Sequence, residues 1–95
     1  MKGYVVCVYK SIKDEVSLKN YAVKAKSAVE KYKGKFLVKG GKKITTEGED
    51  SPRTVVIEFP SFSEAESFFY SEEYQEAHKI LDGIVIRHHQ IIEGT

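Results

Sequence analysis

The sequence is poor in the residues that most often declare a function. It has one cysteine, Cys7, so neither an internal disulfide framework nor a multi-cysteine zinc site can be built from it. Two prolines and seven glycines are too few for a linker or a low-complexity chain. The longest apolar run, Tyr4 to Tyr9, is far short of the roughly 20 residues that a membrane-spanning helix needs. No signal peptide is read ahead of that run, so the expected location is the cytoplasm. No nucleotide-binding fingerprint and no four-ligand metal set occur either, and no cofactor or metal is expected. What is present is 95 residues, 41% apolar and 31% charged. That is the size and mixture of one domain, residues 1–95, folding marginally alone or with a partner.

The formal net charge of +1 conceals a division. Residues 1–45 carry twelve lysines against Asp14, Glu15 and Glu30, a net of +9, whereas residues 46–95 carry three bases against eleven acids, a net of −8. Such asymmetry can mark a nucleic-acid or membrane partner. The simpler reading is that the halves fold against each other and neutralise, and no nucleic-acid or membrane partner is expected.

Lys2 to Lys10 is rich in β-branched and aromatic residues and predicts a strand apolar on both faces, with Tyr4, Val6 and Val8 on one and Val5, Cys7 and Tyr9 on the other. From about Asp14 to Tyr32 the residues Leu18, Tyr21, Ala22, Ala25, Ala28, Val29 and Tyr32 recur at helical spacing, with Asp14 as N-cap and Gly34 where a left-handed C-terminal residue belongs. A short strand over Lys35–Lys39 is bent by Gly40-Gly41 and can continue through Ile44, before an exposed loop over 46–52 and a strand over Arg53–Phe59. Ser61-x-x-Glu64 is a capping box that opens a second helix. Its apolar positions fall on two arcs, Ala65/Phe68/Phe69 and Tyr74/Ala77/Leu81, which predicts a break at Tyr70-Ser71 with Ser71 capping the second piece. A last strand lies within Ile84–Glu93. The order βαββαβ predicts an α+β, ferredoxin-like split βαβ fold, with an antiparallel sheet carrying two helices on one face. The other face is left apolar and uncovered, so a homodimer packed sheet to sheet is expected.

The segments Lys31-Tyr-Lys-Gly-Lys-Phe-Leu-Val-Lys-Gly-Gly41, Pro52-Arg-Thr-Val-Val-Ile-Glu-Phe-Pro-Ser61 and Tyr70-Ser-Glu-Glu-Tyr-Gln75, with the terminal Ile-Glu-Gly94, resemble the domain of unknown function family 1330. That family lies in the dimeric α+β barrel superfamily. The resemblance spans essentially the whole chain and implies the ferredoxin-like protomer and a sheet-to-sheet dimer, but no reaction. The chain departs from the family at Asp50, where members often carry tryptophan, and at Leu81, where they often carry arginine.

Candidate acid/base groups fall in three places. Glu58 sits in an apolar strand, where an unpaired carboxylate becomes a general base; the alternative is a structural carboxylate paired with Arg53 or Arg87. His88 and His89 are adjacent on a strand, so they point to opposite faces and cannot chelate one ion, which leaves either as a lone acid/base residue, with an exposed or dimer-lining histidine as the alternative. His78 lies one turn after Tyr74, beside the buried stripe. The run Ser71-Glu-Glu-Tyr-Gln-Glu-Ala-His78 is similar to the haem-ligating segment of haem-degrading monooxygenases of the same superfamily, in which a tryptophan would fall on Phe68. This chain has no tryptophan, and its first strand has no asparagine, so one of that site's three elements is present.

Cys7 reads as a small core residue, and Tyr21 and Tyr32 as packing, with Tyr4, Tyr9 and Tyr74 undecided. Lys39-Gly-Gly-Lys-Lys43 lacks Walker spacing and a following helix, so it reads as a strand bend. RNA recognition on this topology needs exposed aromatics on the central strands, where Glu58 stands instead. The resulting expectation is a homodimer with a small-molecule pocket between the sheet and the second helix, with Arg53, Phe68 and Tyr74 as ligand-binding positions. It would carry out acid/base or cofactor-free oxygen chemistry on a small organic molecule. The alternative is a non-catalytic binding or structural module.

Overall fold

A computed structural model describes residues 1–95. The chain runs β1 (Gly3–Ile12), α1 (Glu15–Lys31), β2 (Lys35–Lys39), β3 (Thr54–Phe59), α2 (Phe62–Tyr70), α3 (Glu72–Lys79) and β4 (Val85–Glu93). The sheet order is β2-β3-β1-β4 with every neighbouring pair antiparallel, the ferredoxin-like arrangement that the element order predicts. β2 stops at Lys39 and does not continue through Ile44, because Gly40 and Gly41 both take positive φ and turn the chain away.

Strand alternation divides the sheet into two faces. Val5, Cys7 and Tyr9 of β1 and Val55, Ile57 and Phe59 of β3 face the helices and are buried. Their core partners are Leu18, Ala25, Ala28 and Val29 of α1, Ala65 and Phe68 of α2, Tyr74 and Ala77 of α3, and Leu81 beyond it. On the outer face Val6 pairs with Val56, which pairs with Val38, and no helix covers that row. Ile86, Ile92 and Val38 are exposed on the same face.

Asp14 caps α1 by accepting from the Val16 N–H at 3.0 Å. At the other end the left-handed residue is Lys33, with φ 63°, and not Gly34 as the sequence predicts. Gly34 is required for a different reason: a Cβ there would lie 2.7 Å from both Phe59 and Val29 side chains. The Lys31–Glu73 ion pair ties α1 to α3, one direct contact between the basic and acidic halves of the sequence.

The break between the two apolar arcs falls at Tyr70-Ser71, as the arcs require. Ser71 ends α2 by donating its hydroxyl to the Phe68 carbonyl (2.7 Å) and starts α3 by accepting from the Tyr74 N–H (3.1 Å). Because Ser71 is buried, water cannot replace either bond. Ser71→Ala is therefore expected to lower stability by about 1–2 kcal/mol, the upper range for an N-cap. Urea unfolding checks this: the midpoint should fall while the slope stays unchanged, and an unmoved midpoint would show that the two helices do not depend on this hinge.

Candidate functional site

β4 supplies the unusual feature of the helix-facing side. Its inward positions are Val85, Arg87, His89 and Ile91, so a cation and an imidazole enter a face that is otherwise apolar. Register places Arg87 beside Tyr9 and His89 beside Cys7. The guanidinium is met by phenols from three elements. One terminal nitrogen donates to Tyr9 Oη (3.0 Å) and Tyr21 Oη (3.3 Å), and the other donates to Tyr74 Oη (3.3 Å). Tyr21 and Tyr74 share a further hydrogen bond of 2.7 Å between their hydroxyls. Cys7 Sγ lies 3.7 Å from the same guanidinium.

The guanidinium also lies over the rings of Tyr9 and Tyr21, at 5.4 and 5.1 Å from their centroids, within cation–π range. Burial works against its charge, but the facing phenols of Tyr21 and Tyr74 more than offset that, so it stays protonated. The phenols of Tyr9 and Tyr74 stay protonated as well. Burial pushes Tyr9 up to about 12, with Arg87 opposing, and burial raises Tyr74 in the same sense. Burial likewise raises the Cys7 thiol, so it is no nucleophile at neutral pH. The cluster therefore carries a single positive charge.

This cluster closes one end of a cavity of about 40 Å³ lined by 17 residues, 13 of them hydrophobic. Its apolar wall includes Val5, Val29, Ile57 and Phe68, and its charged residues are Lys39, Arg53 and Arg87. The cavity lies beneath α1 as much as beneath the second helical region, because Ala22 and Ala25 face the sheet where larger side chains would fill the space. The loop before β3 is fastened at this end: Ser51 Oγ lies 2.6 Å from the Tyr9 carbonyl and 2.8 Å from the Arg53 carbonyl, and it accepts from the Arg53 N–H.

Of the residues singled out in the sequence, Arg53, Phe68 and Tyr74 line this cavity. Glu58 does not: it lies on the outer face, half-buried, with Tyr4 and Lys35 as cross-strand neighbours, because its parity is that of Val56. Arg53 and Arg87 are thus unavailable to it as the partners the sequence offered. His88 is exposed on that outer face beside Val8. His78 is half-buried against Phe69 and Tyr74, outside the cavity lining. Burial lowers its pKa, Arg87 lowers it further, and Asp82 opposes them. A space of about 40 Å³ does not admit a porphyrin, so no step through haem is derived.

Sequence reasoning weighed His89 only as one of two lone acid/base candidates and Arg87 only as a partner for Glu58, placed neither in the pocket, and treated Tyr21 as packing. The signal available was their i, i+2 spacing on a strand, which places both on one face. His89 stacks on Tyr74 with ring centroids 6.2 Å apart and an interplanar angle of 9°. Burial, then the charge of Arg87, push its pKa down to about 3, so it is a neutral imidazole throughout the physiological range.

The unfolded chain takes up this proton near pH 6.5 and the folded chain only near 3, so stability is intact above about 6.5 and falls as pH drops between those values. The slope attributable to His89 approaches about 1.4 kcal/mol per pH unit at its steepest. Urea midpoints of wild type and His89→Gln measured from pH 7 to pH 4 should diverge in slope by that amount. Parallel curves would show that His89 charges freely in the folded state.

The fold has solved counterparts. A protein of unknown function from Rhodopseudomonas palustris superposes with a TM-score of 0.78 at 14% identity, covering 99% of this chain and 82% of that one. A Caulobacter crescentus protein provisionally named an antibiotic biosynthesis monooxygenase gives 0.64 at 10% identity, covering 99% and 89%. A dimeric protein of unknown function with a ferredoxin-like fold, from Bacteroides fragilis, gives 0.55 at 18% identity, covering 98% and 96%. At these identities the likeness shows the fold alone. No curated protein matches the sequence. Residues 2–95 match the family described as Domain of unknown function (DUF1330), and the chain belongs to that family.

Proposed function

We propose that this protein is a homodimer whose protomers each hold a small organic molecule between the sheet and its helices. The observation that carries the binding half is the convergence of Arg87, Tyr9, Tyr21 and Tyr74 on one end of an otherwise apolar cavity. Apolar walls with a few converging polar groups are the usual make-up of a small-molecule site. The dimer half rests on the uncovered row Val38–Val56–Val6 and on exposed Ile86 and Ile92. In this reading Glu58 and His88 belong to the face between subunits.

An enzymatic form of the same reading draws on His89. A neutral imidazole two residues from a fixed cation, both lining one cavity, becomes a working proton acceptor once a bound anion offsets the Arg87 charge that helps hold its pKa down, and the same cation stabilises the oxyanion left behind. Acid/base chemistry needs no more than that, and cofactor-free oxygenation begins with the same proton removal. The provisional monooxygenase names of the Caulobacter crescentus and Nitrosomonas europaea neighbours point the same way.

Titration of the ¹⁵N-labelled protein with butanol, propionamide and propionate tests the pocket. Saturable shifts confined to the amides of Ala25, Tyr74 and Arg87 are expected for at least one probe. If all three leave those amides unmoved, the pocket reading falls.

Native mass spectrometry at micromolar concentration tests the dimer. Wild type is expected as a dimer and Val6→Lys, which sets a cation at the centre of the outer face, as a folded monomer. A monomeric wild type would overturn the pairing.

A further inference from the structure

Resting on the pocket reading above, we infer that the molecule held against Arg87 is an organic anion, a short carboxylate or the carboxylate end of a larger compound. The inference comes from hydrogen-bonding capacity and charge. A guanidinium has five N–H donors and no acceptor, and each phenol has one O–H donor. The three phenol oxygens accept from Arg87, and one phenol proton is spent in the Tyr21–Tyr74 bond. Two phenol protons remain, that of Tyr9 and that of whichever partner accepts within the Tyr21–Tyr74 pair. Around the guanidinium the phenol oxygens are engaged and the donors are in surplus, which suits a ligand oxygen that only accepts.

Charge points to the same ligand. The two ion pairs in the protein are Lys31–Glu73 and Lys43–Asp50, so no carboxylate neutralises Arg87, Arg53 or Lys39. Those three are the charged residues of the cavity, and no acidic side chain lines it. Lys39 holds its ammonium 4.5 Å from the Phe36 ring centroid, on the same cavity wall. A half-buried arginine whose contacts are phenols keeps a charge that no carboxylate balances, and two of its N–H groups, the second on the nitrogen that meets Tyr74 and that of Nε, are left to donate to a carboxylate.

Size narrows the class. A cavity of about 40 Å³ is small beside the ~150 Å³ that admits benzene. It takes a carboxylate head with a short aliphatic stem, and the wall of Val5, Val29, Ile57 and Phe68 suits the stem.

The deciding experiment compares propionate with propionamide, the same shape without the charge, by calorimetry on the full chain at low salt. Propionate is expected to bind about tenfold more tightly or better, the gain of an ion pair over a bond from the same guanidinium to a neutral carbonyl. Arg87→Met should erase that preference, weakening propionate about tenfold and propionamide by less. Equal affinities in wild type would overturn the anion inference and leave the pocket reading standing. Binding of neither probe would remove both. If Arg87→Met fails to fold, the guanidinium resonances of wild type give the answer: propionate should shift them and propionamide should not. An unshifted Arg87 signal at propionate saturation overturns the assignment.

Discussion

The arrangement turns on one charged group held under the helices, the guanidinium of Arg87. Taking such an ion out of water costs several kcal/mol even after relaxation. Here the cost is met by hydrogen bonds to Tyr9, Tyr21 and Tyr74, and by ring faces. Hydrogen bonds to a charged group contribute about 1.5–3 kcal/mol each, so three of them offset a penalty of that size. The three phenols come from β1, α1 and α3. The ion therefore fixes the angles of two helices over the sheet as well as its own position, and a shift in any of these elements would loosen all the contacts together.

That dependence explains why the second helical region is broken. Phe68 must fill the core beside Phe59, at 4.9 Å between ring centroids, while Tyr74 must present its hydroxyl to Arg87 and its ring to His89. Six residues of straight helix separate those positions by about 600°, which would leave the two side chains about 120° apart around the axis. Ser71 resets the direction: its hydroxyl gives the Tyr74 N–H an acceptor that the break would otherwise deny it, and joins the Ser71 N–H on the Phe68 carbonyl. Phe68 and Tyr74 end with ring centroids 4.5 Å apart, both against the cavity.

The architecture is legible in the sequence because it depends on periodicity. The two arcs of the second helical region predict the break at Ser71, and the helical stripe of α1 predicts its bounds to within a residue. The sheet-facing set Val5, Cys7 and Tyr9 is legible too, although either face of β1 would have passed as buried. The charged part of the site is not legible, for a reason that lies in β4. Its apolar residues sit on both parities, Val85 and Ile91 inward and Ile86 and Ile92 outward, so alternation does not reveal which way Arg87 points. An arginine inside contradicts the rule that charges stay out of cores, and only the three phenols remove the contradiction. Those phenols are spread over 66 residues of sequence, from Tyr9 to Tyr74, and no local pattern joins them. Glu58 was ambiguous for the same reason, since Thr54, Val56 and Glu58 form a face apolar enough to resemble the core.

The two faces of the sheet thus carry different physical demands on the same strands. On the inner face β1 and β4 hold a half-buried cation and keep a histidine neutral under the helices. On the outer face β1 and β3 carry the half-buried valines Val6, Val8 and Val56, with no helix over them. The demands meet at Tyr9, whose inward hydroxyl accepts from Arg87 while its neighbours Val8 and Lys10 face outward. Closing the outer face would restrain the strand that positions Tyr9, and any molecule that engages Arg87 would draw on the same strand from the other side. A sheet one residue thick cannot isolate its faces, so under the proposed function association and ligand binding would share a mechanical element even where they share no side chain.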